Sequence, residues 1–322
     1  MALVSIIIPI YKVADCIADS LQSALHQSYQ EIEYILVNDC TPDNSMEIVE
    51  RIIKQKENAA KDITILNLAK NSGLSNARNV GLLAAKGEFI FFMDSDDKIS
   101  RNCIELHLNA IQRYSADFSD GNVSIVGGNH NIFKPYSNEK AINDKILNSY
   151  FNYLHICGWN KLIRKSFILS NKIYFKKGML YEDMLWCYQL CKASTSYVTI
   201  PDNTYQYLIR AGSITTLSNN RHAHKQFSSF LQLLSSITTE FKEPTSIELQ
   251  SLQRHWINKT LFVIKTRLLN APFTNEEKKF YFRNLIPFAG LLTGYNKYFQ
   301  KMPYTLFKII FYIPNYLFRK LR

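Results

Sequence analysis

Along the first 125 residues, short continuous apolar runs alternate with segments whose apolar positions recur every three or four residues. Leu3 to Ile8 is such a run and closes on Pro9-Ile10-Tyr11. Tyr34-Ile35-Leu36-Val37, Ile63 to Leu66 and Phe89 to Met93 repeat it. Runs this short, rich in β-branched and aromatic residues and bounded by polar or turn residues, predict buried strands. Between them, Ile17, Leu21, Ala24 and Leu25 keep helical spacing, and Asp43-Asn44-Ser45 opens a second helix carrying Ile48, Val49, Ile52 and Ile53. Asn71-Ser72-Gly73 predicts a turn, then a small-residue helix over about 74–85, with Gly87 in the place of a C-cap. The order β-α-β-α-β-α-β predicts an α/β fold, a Rossmann-like, mostly parallel sheet flanked by helices.

Downstream the pattern changes. From about 117 to 216 it is mixed, with strand-like Ser124-Ile125-Val126 and Tyr197-Val198-Thr199-Ile200 and one clear helix from Glu182 to Lys192. After about 219 it is helical, over roughly 222–240, 246–270 and 275–290. The chain thus divides into an α/β domain, 1–218, and a helical C-terminal region, 219–322. Its opening residues read as a first strand and not as a signal peptide. No stretch reaches 18 uncharged apolar residues, so no transmembrane helix is expected.

Polar residues gather where the strands end: Tyr11, Asp39, Asn71 and, straight after Met93, the run Asp94-Ser95-Asp96-Asp97. Crossover connections bring the carboxyl ends of parallel strands to one edge of the sheet, and that edge is where open α/β sheets bind ligands. Three carboxylates within four residues repel one another unless something positive sits among them. Mg²⁺ or Mn²⁺ suits this place, because such ions take one or two carboxylates together with substrate phosphates. The plainer alternative is an acidic turn capping the next helix.

Charge adds a second feature. The chain has 322 residues, 47% hydrophobic, and a net charge of +11. From Lys278 to Arg322 there are nine Lys/Arg and no Asp or Glu, which leaves +2 for the rest. The same stretch holds 13 of the 42 aromatic residues. A basic, aromatic tail fits an anionic membrane surface or nucleic acid. No nucleic-acid recognition motif accompanies the charge, so nucleic acid is not expected. Tyr304 to Arg322 is too short and too interrupted by proline to span a bilayer, but it suits lying in the interface. Packing on the protein's own core is the alternative. The six cysteines have no C-x-x-C spacing and read as reduced, buried thiols of a cytosolic protein.

Four segments in order resemble a known family: Ser5-Ile6-Ile7-Ile8-Pro9-Ile10-Tyr11, Val37-Asn38-Asp39-Cys40-Thr41-Pro42-Asp43-Asn44-Ser45, Asn71-Ser72-Gly73-Leu74-Ser75-Asn76-Ala77-Arg78-Asn79-Val80-Gly81 and Phe92-Met93-Asp94-Ser95-Asp96-Asp97. Together they resemble the family-2 glycosyltransferases, inverting enzymes of the GT-A fold, over about residues 1–215. Tyr181-Glu182-Asp183 is similar to the family's Glu-Asp motif, which opens a helix under the acceptor site. The resemblance implies that Pro9 and Tyr11 wall the nucleotide base, that Asp39 accepts a hydrogen bond from the base and favours uracil, and that Asn71 and Gly73 let the backbone approach the nucleotide. It implies that Arg78 offers its fork to a phosphate, that Asp94 and Ser95 bind the donor, and that Asp96 ligates Mn²⁺ or Mg²⁺. Asp94 and Asp96 match the family's Asp-x-Asp. Where the family often has a turn glycine after Asp39, this chain has Cys40.

By the same resemblance Asp183 is the catalytic base, with Glu182 supporting it or touching the acceptor. Cys157-Gly158-Trp159-Asn160-Lys161-Leu162 is similar to the family's Trp-Asn-Lys segment, where Trp159 would stack on a sugar and Asn160 or Lys161 would contact donor or acceptor. Arg210 and Ser213 lie in a segment similar to the family's Arg-x-Gly-Ser, which closes over the diphosphate. The expected activity is single addition of a hexosyl or N-acetylhexosaminyl group from a UDP-sugar to a lipid-linked glycan, on the inner face of a bacterial cytoplasmic membrane. A nucleotidyltransferase, or a non-catalytic membrane-bound scaffold with a degenerate transferase domain, remain the alternatives.

Overall fold

The computed structural model describes residues 1–55, 62–128, 133–143, 154–210, 219–240 and 246–308. The chain divides into two compact units, Met1–Ala211 and Gly212–Arg322.

The first unit is built on one sheet. Its strands are β1 (Val4–Ile10), β2 (Ile32–Asn38), β3 (Ile63–Asn67), β4 (Phe89–Phe92), β5 (Lys98–Ile99), β6 (Phe118–Val126), β7 (Lys140–Ile142), β8 (Lys161–Arg164) and β9 (Tyr197–Leu208). Their order is β3-β2-β1-β4-β8-β6-β9-β5, with β7 paired to β9. The β3-β2-β1-β4 half is parallel throughout. From β8 onward the sheet is mixed, because β8 runs antiparallel to both β4 and β6. The helices are α1 (Ile17–Leu25), α2 (Ser45–Lys54), α3 (Leu74–Ala84), α4 (Cys103–Tyr114), α5 (Lys165–Ser170) and α6 (Glu182–Ala193).

All seven residues of β1 are buried. A central parallel strand is covered on both faces, which is why its sequence is a continuous apolar run and not an alternation. Ile6, Ile8 and Ile10 join the core shared with Ile17 and Leu21 of α1 and Val49 and Ile52 of α2. Ile7 faces the other way, toward α3, where a Cβ added to Gly81 would stand 2.4 Å from Ile7 Cγ2. The small residues of α3 thus let that helix sit close on the sheet.

Gly87 has a different reason from the C-cap predicted for it. The cap of α3 is Ala85, in extended conformation. Gly87 is small because a Cβ there would lie 2.5 Å from Ser5 Oγ and 2.7 Å from Ser5 N. Its N–H donates to Ser5 Oγ and to Glu33 Oε1, both at 2.9 Å.

The second unit is helical, with α7 (Asn220–Glu240), α8 (Ile247–Asn270), α9 (Asn275–Ala289) and α10 (Gly294–Lys301). Ser246 caps α8, and Thr274 with Glu277 forms a capping box on α9. Leu233, Leu234, Trp256, Leu261, Ile264, Phe282 and Leu285 are buried in it. Tyr304 and Phe307 are buried too, edge-on to Phe282 at 5.2 and 5.4 Å. The start of the Tyr304–Arg322 tail therefore packs on its own helical unit, while 309–322 lie outside the described residues. Among the described residues no helix is long and apolar enough to cross a membrane. No disulfide joins the six cysteines; four are buried, Cys16 is half-buried, and Cys40 is exposed, against the expectation that all would be buried.

Candidate active site

Met93 follows β4, and Asp94-Ser95-Asp96-Asp97 turns back from it toward β5. Ligand oxygens of Asp94, Asp96 and Asp97 lie within 4.8 Å of one another. Their surroundings differ. Asp97 is fully buried: its Oδ2 accepts from the Tyr205 hydroxyl at 2.8 Å and its Oδ1 from the Leu208 N–H at 2.8 Å. Asp97 is thus a bracket to β9 and not a helix cap. Burial, then the charges of Asp96 and Asp94, push its carboxyl well up. Asp96 is half-buried, and its Oδ2 accepts from Arg210 Nε at 2.7 Å. Burial first, then Asp94, push the Asp96 carboxyl up, and Arg210 only partly opposes them. Ser95 is buried between the two. This donor set fits a hard divalent cation: the oxygens are carboxylates, and the mutual repulsion at Asp94 and Asp96 is what a cation relieves.

Arg78, on α3, is the hub. Its side chain is 2% exposed. One terminal nitrogen meets Asp94 Oδ1 at 2.6 Å and the other meets Glu182 Oε1 at 2.9 Å. Burial alone would lower the guanidinium pKa, but the charges of Asp94 and Glu182 outweigh it, so Arg78 is held more firmly charged than in water. The planar group lies over the Phe175 ring at 4.9 Å. Asn79 clamps Phe175 at both ends, donating to its carbonyl at 2.8 Å and accepting from its N–H at 3.0 Å. Gly158 leaves the room, since a Cβ there would stand 3.0 Å from an Arg78 terminal nitrogen. The fork expected to face a phosphate is therefore turned to two carboxylates, because a buried cation needs partners of opposite charge.

Glu182 and Asp183 open α6, and the preceding Tyr181 takes a left-handed backbone, φ 57°. Strain of this kind gathers at functional sites. Asp183 Oδ1 accepts from the Met184 N–H at 2.9 Å. Burial and then the neighbouring Glu182 charge push the Asp183 carboxyl up to about 7, against the pull of Arg78. Burial also raises Glu182, which Arg78 counters.

At the other end, Asp39 follows β2 and is buried. Its two oxygens accept from the Ser72 N–H at 2.7 Å and the Gly73 N–H at 2.8 Å. Asn71 donates to the Asp39 carbonyl at 3.4 Å. Asp39 therefore holds the 71–73 turn, where Gly73 has φ 86° and caps α3. Pro9 is buried within β1, and Tyr11 just beyond it is 38% exposed. Cys40 stands at the turn glycine's place and takes a left-handed φ of 55°. The loop keeps its shape because Thr41, Ser45 and Ala14 all bond to Asp43, and the Lys12 N–H donates to Thr41 Oγ1 at 2.8 Å.

Three expected contacts fall elsewhere. Trp159 is 6% exposed and stacks on Tyr205 at 4.3 Å. It is a core side chain and no open platform for a sugar. Asn160 is fully buried, bonded to Gly121 O, Asn122 O and Thr204 Oγ1. Lys161 is buried on β8, 3.2 Å from Asp120 and bonded to the His155 and Cys157 carbonyls. Each turns inward because polar groups between packed strands must be satisfied there. Ser213 lies outside the described residues. Asn79 and Gly158 lie within the segments quoted for the resemblance but were given no role there; Tyr205 and Phe175 were missed, and no local signal marks them, since their partners are remote in the chain.

Residues 5–169 match Glycosyl transferase family 2. Glycosyltransferase GlyG of Streptococcus pneumoniae serotype 4 is 31% identical over 224 residues, 66% of this chain and 72% of GlyG. Minor teichoic acid biosynthesis protein GgaA of Bacillus subtilis is 26% identical over 332 residues, 99% of this chain and 60% of GgaA. The crystal structure of S. aureus TarS 1–349 in complex with UDP-GlcNAc superposes with a TM-score of 0.76 at 22% identity, covering 90% of this chain and 82% of that one. That likeness shows the fold, the GT-A glycosyltransferase fold.

Proposed function

Because the chain belongs to glycosyl transferase family 2, we propose that it moves a hexosyl or N-acetylhexosaminyl group from a UDP-sugar to a hydroxyl of a lipid-linked glycan, with inversion, in bacterial cell-surface polymer synthesis. The observation that carries this reading is the Arg78 linkage. One buried guanidinium holds Asp94 of the acid turn and Glu182 beside Asp183, so the donor-side and acceptor-side acids are within a side chain's reach of each other.

Asp183 is the base. A carboxyl raised to about 7 takes a proton at neutral pH far more readily than an ordinary one. The acceptor oxygen forms its bond to the anomeric carbon as that carbon's bond to the diphosphate oxygen breaks. The electron pair leaves with UDP, and the hydroxyl proton passes to Asp183. Asp94 and Asp96 would hold Mn²⁺ or Mg²⁺, which when bound offsets the charge on the departing diphosphate. Asp39, Tyr11 and Pro9 bind the base, and Arg210 binds the diphosphate. TarS, whose complex contains UDP-GlcNAc, supports a UDP-sugar donor. The teichoic acid role of GgaA supports a cell-surface polymer as product. Phe280 and Tyr298 are exposed among Lys279, Arg283 and Lys297, which supports a peripheral place on the inner face of the cytoplasmic membrane.

Calorimetry of UDP, GDP and ADP, each with Mn²⁺ and with EDTA, tests this on wild type and Asp96→Ala. Metal-dependent preference for UDP, lost in the variant, is the expected result. Absence of nucleotide binding under every condition would favour a scaffold, and preference for GDP would overturn the role of Asp39.

A further inference from the structure

Three groups near the end of β9 each grip a different part of the acid turn. The Tyr205 hydroxyl donates to Asp97 Oδ2 at 2.8 Å and accepts from the Asp94 N–H at 3.1 Å. The Leu208 N–H donates to the other Asp97 oxygen at 2.8 Å. Arg210 meets Asp96 at 2.7 Å. The Tyr205 ring is 1% exposed and locked against Trp159, the two planes within 10°.

We propose that Tyr205 is a positioning residue for the cation site, acting through the backbone of Asp94, and that Asp97 is its buried anchor and no ligand. This rests on the metal role given above to Asp94 and Asp96. Asp97 has no exposed surface, whereas the Asp94 and Asp96 side chains keep 20% and 21% of theirs. The Tyr205 hydroxyl satisfies both the Asp94 N–H and an Asp97 oxygen. Without it a buried Asp97 oxygen and the partly buried Asp94 N–H lose that partner, and the turn relaxes to find others. Ligand oxygens must be held within about 0.5 Å of their working place, so relaxation of the turn reaches the cation directly. Loss of an outer partner of this kind typically weakens metal binding about 10- to 100-fold.

The test is Mn²⁺ binding read by electron paramagnetic resonance, beside calorimetry of UDP in EDTA, on full-length wild type, Tyr205→Phe, Asp97→Asn and Asp96→Asn. Tyr205→Phe keeps the ring and its stack and removes only the hydroxyl. It is expected to weaken Mn²⁺ at least about tenfold while UDP binding in EDTA stays unchanged. Asp97→Asn, which keeps the anchor's shape, is expected to weaken Mn²⁺ less than Asp96→Asn does. Unchanged Mn²⁺ affinity in Tyr205→Phe overturns the proposal. So does equal weakening of UDP in EDTA, which marks general loosening of the fold. So does an Asp97→Asn loss as large as that of Asp96→Asn, and this comparison decides the matter should Tyr205→Phe fail to fold. A wild type that binds UDP but no Mn²⁺ overturns the metal reading itself, a failure distinct from that of Tyr205 alone.

Discussion

Replacing Arg78 with methionine would keep most of its volume and remove its charge. Two ion pairs at 2.6 and 2.9 Å vanish, together with the cation over Phe175. Asp94 and Glu182 are then left half-buried without their counter-ion. Breaking a buried pair from one side costs about 3–5 kcal/mol, against at most about 1 kcal/mol for an exposed pair. For a unit of this size that is a fall in melting temperature on the order of 10 °C. The deficit should also depend on pH. Burial already raises Glu182 and Asp183, with Arg78 opposing. In the variant both rise further above their unfolded values. A carboxyl of that kind favours the folded state at low pH and loses that contribution as pH rises through its folded pKa. The deficit is therefore expected to be larger at pH 8 than at pH 5.5. Urea unfolding at the two pH values, followed by tryptophan fluorescence, reads it, and Trp186, stacked on Phe175 at 4.6 Å, sits close to the change. A deficit below about 1 kcal/mol, or one equal at both pH values, would refute the hub role of Arg78.

Asp183→Asn is expected to lower turnover by about 10²- to 10⁴-fold with UDP affinity retained. In wild type kcat/KM should rise with pH through about 7, since the base works only when deprotonated; a flat profile from pH 5.5 to 8.5 would argue for another base. Cys40 already bears a left-handed φ of 55°, and Cys40→Val adds β-branching to that strain, so it should destabilise by about 0.5–3 kcal/mol, whereas Cys40→Gly should be close to neutral; chemical unfolding compares them. Lys265 is buried with its ammonium over Phe282 and Phe307, and burial lowers its pKa to about 8. The folded chain then gives up a proton that the unfolded chain keeps, so stability should rise from about pH 8 toward pH 10. Calorimetric melts of Lys265→Met should lack that rise, and an identical pH dependence would contradict it.

How much was readable in the chain follows from the range of each interaction. The β1–α1–β2–α2–β3–α3–β4 order was legible because strand and helix periods are local, and so was the helical second unit. Asp39 and the 94–97 acids were legible because strand ends in a parallel sheet converge on one edge. The Glu182 helix was legible from its own pattern. The antiparallel β8, Lys161–Arg164, was not: its first two residues, Lys161 and Leu162, read as the end of a ligand-binding motif. Trp159, Asn160 and Lys161 carry the same letters whether they face a sugar or a packed core, and only the pairing of β8 with β4 and β6 turned them inward. Gly87 read as a cap until the close approach of Ser5 explained it.

Which acids the chain owns, and at which strand ends they stand, can be read along the chain. What each acid faces is set by packing alone. Arg78 reaches Glu182 across 104 positions, and Tyr205 reaches Asp97 across 108. The physical reason is that a charge or hydroxyl inside a folded chain must be satisfied by whatever the packing brings near it. Local propensity sets the elements, and burial chooses the partners.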